Sequence, residues 1–277
     1  MYNHLLGTTA GWAVAHYLTT LAVHSSQLLL QTSAHSSMGE VSSRRFAIKI
    51  LSSLHSLGSF LSGLYVVHEL TNGTWTTLGN KASASLGAVV SLEAGFYGFD
   101  FLSDVYRVVV VQRQNCKWVD LSFFVHHIVP IVVFPSYSLW RHNKLSKLST
   151  GGANVTTGKS LAFLDYVTAL LLVTNVTTVL TNVRWMVTVT RTGDRRSRFQ
   201  WLDRSVVVLY FVCRVALWPW LVNMYREQQN MWEVSLCSTL FSLPLRCSIG
   251  TVTLFSMNLY FWYLNVRKLG AAAPKRA

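Results

Sequence analysis

Charge is scarce in this chain. Asp, Glu, Lys and Arg make up 13% of its 277 residues, about half the roughly 25% usual in soluble domains. Acids are the scarcer sign, with 11 Asp and Glu against 24 Lys and Arg and a formal net charge of +13. Gly, Ser and Pro nowhere gather into a linker long enough to separate two domains, and no internal repeat is present. The four cysteines, Cys116, Cys213, Cys237 and Cys247, form no CxxC and stand at no metal-ligand spacing from a histidine. They give no ground for a metal site and read as small apolar residues. The GxSxG, HExxH, Walker and dinucleotide-binding glycine signatures are absent as well. No soluble-enzyme motif and no cofactor is therefore expected.

What is present is apolar length. Hydrophobic residues make up 51% of the chain, and the mean hydropathy is positive. A membrane span needs about 20 mostly apolar residues. Seven stretches qualify: 6–31, 46–67, 83–111, 118–140, 160–190, 204–224 and 234–266. The third, fifth and seventh exceed the requirement, so they tilt or run past the interface. The first contains His16 and His24. Its opening residues lack the Lys or Arg of a signal-peptide n-region, so it reads as a retained span. The expected fold is an all-α, polytopic membrane bundle of about seven transmembrane helices.

The basic residues sit in short clusters between these runs, where topology signals belong. Alternate connections and the C-terminal tail hold 14 Lys and Arg, and the opposite side holds 6. The positive-inside rule then places the C-terminus in the cytosol and the N-terminus outside or in the lumen. Two glycosylation sequons, at Asn72 and Asn154, fall in connections assigned to the lumen. A third, at Asn175, lies inside a span and is not expected to be modified. This distribution argues against nucleic acid as a partner despite the net charge.

Several polar groups lie where lipid is expected. An ionisable residue inside a span costs roughly 2.5–3.5 kcal/mol when buried alone, and it normally faces the bundle interior and a partner. The third span carries Glu93, Asp100 and Asp104, seven and four residues apart and so on one helical stripe. Asp104, beside Arg107, reads equally as an interface residue. The fourth span, "WVDLSFFVHHIVPIVVFPSYSLW", carries Asp120 and the adjacent His126 and His127. Asp120 and His127 share a face, while His126 sits about 100° round the helix. A histidine can shuttle a proton or act as a general base. It can also donate a single hydrogen bond to a neighbouring helix. Pro130 and Pro135 follow and bend the chain. The fifth span carries the stripe Asn175, Thr178 and Asn182 between Asp165 and Arg184. Arg214 lies mid-span in the sixth, Arg246 lies in the seventh, and Lys49 can snorkel from the start of the second.

Six separate stretches share an order with a known family. "RRFAIKILSSLHSL" holds Ser52 and His55, and "GFYGFDFL" ends on Asp100 and Phe101-Leu102. "FFVHHIVPIVV" holds the double histidine, and "NVTTVLTNVRWMV" holds Thr177, Thr178, Asn182, Arg184 and Trp185. "FVCR" ends on Arg214, and "SMNLYFWYLNVRK" holds Asn258 and Trp262. Together, over roughly residues 44 to 268, they resemble the TLC-domain family. That family includes ceramide synthases, TRAM translocation proteins and lipid-homeostasis proteins of the endoplasmic reticulum or plasma membrane. The resemblance implies a helical bundle around a lipid-accommodating cavity. It divides the chain into an N-terminal helix and loop (1–43), a TLC-like domain (44–268) and a cytosolic tail (269–277). The sequence also departs from the family. Asn175 stands where the family has glutamate, Val179 where it has proline, and Pro130 where threonine is frequent. Asp165 lacks the histidine that precedes the equivalent acid in ceramide synthases.

Two functions from different classes are therefore expected. The first is a lipid-binding or lipid-handling protein of membrane lipid homeostasis, without a proven reaction. Its cavity would be lined by His55, Glu93, Asp104, Asp120, Thr178, Asn182, Arg184 and Arg214. The second is an acyl-CoA-dependent N-acyltransferase of the ceramide synthase type. There His127 would be the base, His126 or Asp100 would orient the reacting groups, and acyl-CoA would be a substrate. Transport along the His and Asp stripes has the physics of a relay but no support from the resemblance. Membrane lipid is the expected partner, alongside membrane proteins. The endoplasmic reticulum is the expected compartment, with the plasma membrane as the other choice.

Overall fold

The structure, a computed structural model, describes residues 2–31, 40–72, 81–106, 108–109, 125–129, 131–132, 155–189, 200–243 and 245–271. Among the described residues there is no strand. Helix α1 (Tyr2–Gln31) covers the first expected span, α2 (Glu40–Asn72) the second and α3 (Lys81–Tyr106) most of the third. Of the fourth, 125–129 and 131–132 are described and helical. Helices α4 (Val155–Val173) and α5 (Val176–Val189) follow. Then come α6 (Gln200–Tyr210), a π-helical segment (Phe211–Ala216) and α7 (Leu217–Gln228). Helices α8 (Leu236–Ser242) and α9 (Leu245–Ala271) complete the order.

Three of these stretches are long and apolar enough to cross a membrane: Arg45–Asn72, Phe163–Thr188 and Gln200–Gln228, of 28, 26 and 29 residues. They fall on the second, fifth and sixth expected spans. A 28-residue helix rises about 42 Å, more than the roughly 30 Å of hydrocarbon. Among the described residues, length and composition thus pick out three of the seven expected spans.

Two expected spans are not single regular helices. In 160–190 the ladder tightens at Thr174 and Asn175. Asn175 N–H donates to Leu172 O at 3.0 Å and Thr178 N–H to Asn175 O at 2.9 Å. The Thr174 and Thr177 hydroxyls also donate to the backbone, to Leu171 O at 2.6 Å and Thr174 O at 2.8 Å. Hydroxyls bonding back along the helix compete with its own ladder and bend it. In 234–266 the helix stops at Leu243, which is extended (φ −62, ψ 153). Pro244 follows, and a residue before proline is driven out of the helical region.

The chain divides into two compact units, Met1–Met186 and Val187–Ala277. In the first, α1 packs on α2 and α3, and α2 packs on α3 and α4. Val66 and Leu70 of α2, Leu86 and Val90 of α3, and Ala169 and Leu172 of α4 form its apolar core. Gly63 allows α2 to approach α4 closely. A methyl group there would meet Ala169 O at 2.6 Å and Leu172 Cβ at 3.0 Å. Gly95 plays the same part for α1, where a side chain would run into Thr8. Small residues at such crossings let membrane helices meet backbone to backbone.

The faces of α2 explain the solvent it is built for. Its buried side carries Ser52, His55, Ser56 and Ser59, whereas Leu54, Leu57, Leu61, Leu64 and Tyr65 are exposed. A soluble helix hides its leucines and wets its serines. The reverse order here suits a helix whose outer surroundings are lipid.

In the second unit, α9 packs on α6 and on the π-helical segment, and α8 packs on α7. Pro219 gives a physical reason for the π segment. It has no N–H for the carbonyl four residues back, and its ring presses on that carbonyl. Helix α7 ends with Asn230 in the left-handed region (φ 55). There Met231 N–H donates to Arg226 O at 2.9 Å and Asn230 N–H to Glu227 O at 3.1 Å, a closing pair of bonds that asparagine tolerates. Ser235 caps α8 by accepting from Ser238 N–H at 3.1 Å.

Candidate functional site

Helix α3 presents its acids in two groups. Glu93 is 1% exposed. Its Oε1 lies 3.2 Å from His55 Nε2 of α2 and accepts from Asn175 Nδ2 at 3.0 Å. The His55 ring stacks on Phe96 at 4.0 Å, with ring planes 16° apart. Trp12 of α1 meets it edge-on at 5.1 Å, and the Trp12 indole N–H donates to Leu92 O at 3.3 Å. One carboxylate thus ties α2 and the 174–175 turn to α3, and α1 joins through the His55 ring and the Leu92 carbonyl. Asn175 can do this because the bend turns its amide towards α3. A buried carboxylate needs such partners, because desolvation is costly unless charge and lone pairs are met.

Two turns further along α3, Asp100 and Asp104 flank His127. The distances are 3.2 Å from His127 Nε2 to Asp100 Oδ2 and 3.5 Å from His127 Nδ1 to Asp104 Oδ2. The imidazole is buried, while the two carboxylates are partly exposed. The Tyr97 ring lies 5.9 Å from the His127 ring and 6.2 Å from that of His126. The two histidine rings are 5.6 Å apart. Lys49 of α2 lies within electrostatic reach of both Asp100 and His127.

The expected stripe of Glu93, Asp100 and Asp104 is therefore read by two different histidines. Asp104, open to an interface reading in the sequence, sits against His127. Of the other expected residues, Asn182 is buried on α5, and Thr178 and Arg184 of the same helix are half-buried. Arg214 lies in the π-helical segment of the second unit. Asp120, Asn154 and the Arg246 side chain lie outside the described residues. Asn72 is exposed at the end of α2, with its Nδ2 2.8 Å from His68 Nε2. The sequon at Asn175 is buried and bonded to Glu93.

For three residues the sequence does not disclose the partner. Lys49 was assigned to snorkelling, although its place near Asp100 follows from α2 packing on α3. Trp12 belongs to the span with the weakest signal. Asn175 was noted as a departure from glutamate, but a bond across 82 residues has no local signature. A glutamate at that position would set a second carboxylate against Glu93.

Among the described residues no group of three or more His, Cys, Asp or Glu side chains is placed to hold a metal ion. The geometry around His127 shows why. Its two carboxylates approach opposite ring nitrogens, so the three groups do not converge on one point.

Comparison with known proteins matches residues 155–267 to the TLC domain. That match points to a function related to membrane lipid. No curated protein and no solved structure matches the chain. The matched stretch runs from α4 almost to the end of α9, and it includes Asn175, Asn182, Arg184, Arg214, Asn258 and Trp262. Inverted faces, spans of membrane length and this match agree: the chain is an all-α membrane protein whose residues 155–267 match the TLC domain.

Proposed function

We propose that the protein binds or handles lipid within the membrane and contributes to membrane lipid homeostasis. The observation that carries this reading is His127. Both of its ring nitrogens face carboxylates, Asp100 at 3.2 Å and Asp104 at 3.5 Å. A general base needs a lone pair turned towards its substrate, and in this arrangement both nitrogens are turned to the protein. The Glu93, His55 and Asn175 group is likewise gathered on one oxygen, Glu93 Oε1, while the buried Oε2 has no hydrogen-bond partner among the described residues. Polar groups paired in this way hold helices in register and leave the bundle to accommodate an apolar guest.

An acyl-CoA-dependent N-acyltransferase is the second reading. What favours it is the short His127–Asp100 contact, the kind of pair that orients a catalytic imidazole. What weakens it is Asn175 in place of glutamate and Asp165 without a preceding histidine. The endoplasmic reticulum, with a cytosolic C-terminus, is the location that the charge bias and the sequon at Asn72 favour.

One assay separates the two. The protein is expressed in membranes lacking ceramide synthase, supplied with sphingoid base and fatty acyl-CoA, and ceramide is measured. Absence of product from folded, membrane-inserted protein is the expected result. Ceramide that disappears in the His126→Ala/His127→Ala variant would establish the acyltransferase instead.

A further inference from the structure

The second unit holds a buried group of hydrogen-bond donors that the reading above does not use. Asn258 and Trp262 are four residues apart on α9 and so share one face of it. That helix packs on α6 and on the π-helical segment. Asn258 is 3% exposed, and its Oδ1 accepts from the Tyr210 hydroxyl at 3.3 Å. With that oxygen engaged, the amide offers N–H groups. The Trp262 ring lies 5.2 Å from Phe211. Its indole N–H is buried and has no hydrogen-bond partner among the described residues. Indole nitrogen only donates, and an unmet donor at membrane depth is a costly arrangement. Arg214 lies within electrostatic reach of Tyr210. Neither α9 nor residues 204–226 contain a single Asp or Glu. Donors therefore collect here, and the Trp262 indole N–H has no acceptor among the described residues. They do so beside a π-helical segment, a distortion frequent at functional sites.

We propose that Trp262 and Asn258 bind an anionic oxygen of a membrane lipid. The shared chemistry is a phosphate or carboxylate oxygen, supplied by a phospholipid headgroup or by a free fatty acid. The site deepens the lipid-handling reading by naming the group held, and it rests on that reading for the lipid source. Its residues lie on helices other than those of the His127 group.

The test uses the full-length protein in detergent. Radiolabelled phosphatidylglycerol and radiolabelled oleate are bound separately, and binding is followed by scintillation proximity. At least one probe is expected to bind saturably. Trp262→Phe keeps an aromatic ring against Phe211 but removes the N–H, and it should weaken binding about tenfold, the scale of one buried hydrogen bond. Asn258→Asp is nearly isosteric and replaces the donor with a negative charge, so it should abolish binding. Which probe binds identifies phosphate or carboxylate as the source. Trp232→Phe removes an exposed indole outside this group and should bind like the wild type. Equal binding by wild type, Trp262→Phe and Asn258→Asp overturns the proposal, as does no saturable binding of either probe to the wild type. Saturable binding that is equal in all three sinks this site and leaves lipid handling standing, whereas no binding to the wild type sinks both.

Discussion

Glu93 carries more of the first unit than its place in the sequence suggests. One oxygen serves a histidine on α2 and an amide in the 174–175 turn, inside packing that excludes water. Asn175→Asp replaces the donating amide with a carboxylate facing Glu93, at nearly constant volume. Breaking a buried ionic group of this kind costs about 3–5 kcal/mol. The variant should lose thermal stability by that order, read from the melting of detergent-solubilised protein by fluorescence-detected size exclusion. His55→Phe keeps the stack on Phe96 but removes the contact with Glu93, and a smaller loss of about 1–3 kcal/mol is expected. The candidate polar residues could be read from the sequence one at a time, because charge inside an apolar run is conspicuous. Their pairing could not. Spacing on α3 places Glu93, Asp100 and Asp104 on one stripe, but the partners come from other helices. Only the fold decides that His55 answers the first acid and His127 the other two.

At the scale of elements, helix crossings are set by glycine as much as by polar bonds. A side chain at Gly63 would press on the backbone oxygen of Ala169, which cannot swing aside as a side chain can. Gly63→Val should separate α2 from α4 at a cost of about 1–3 kcal/mol. Gly58 lies on the same helix with nothing within 4 Å of an added methyl. Gly58→Ala should therefore leave the melting temperature unchanged or raise it slightly. Measuring the pair together separates a packing effect from a general loss of glycine. The helices were legible in advance, because long apolar runs admit little else in a membrane. Their interruptions were less so. Pro244 marks the end of α8 in plain sight, but the turn at Thr174 and Asn175 depends on hydroxyls bonding backwards. Threonines do this in some helices and not in others. The π segment falls one turn ahead of Pro219, and proline alone does not say whether a helix kinks, widens or stops.

For the whole molecule, orientation is the property most open to test. In the proposed orientation the connection after α2 lies in the lumen. Glycosylation should then occur at Asn72, which is exposed, and not at Asn175, which is buried against Glu93. Microsomal expression followed by glycosidase treatment checks this. Asn72→Gln should remove a mobility shift, and Asn175→Gln should leave it in place. A shift that survives Asn72→Gln and Asn154→Gln together would mean that Asn175 is modified and overturn its buried position, whereas a wild type with no shift would overturn the assigned topology. The carboxylates of α3 have a consequence for the first unit. Glu93 and Asp100 sit two turns apart on one rigid rod, each gripping a histidine from elsewhere. Sliding or turning that rod would loosen both grips at the same moment. A molecule entering beside one histidine would therefore be felt at the other, making α3 a mechanical link along which occupancy at one end could register at the far end.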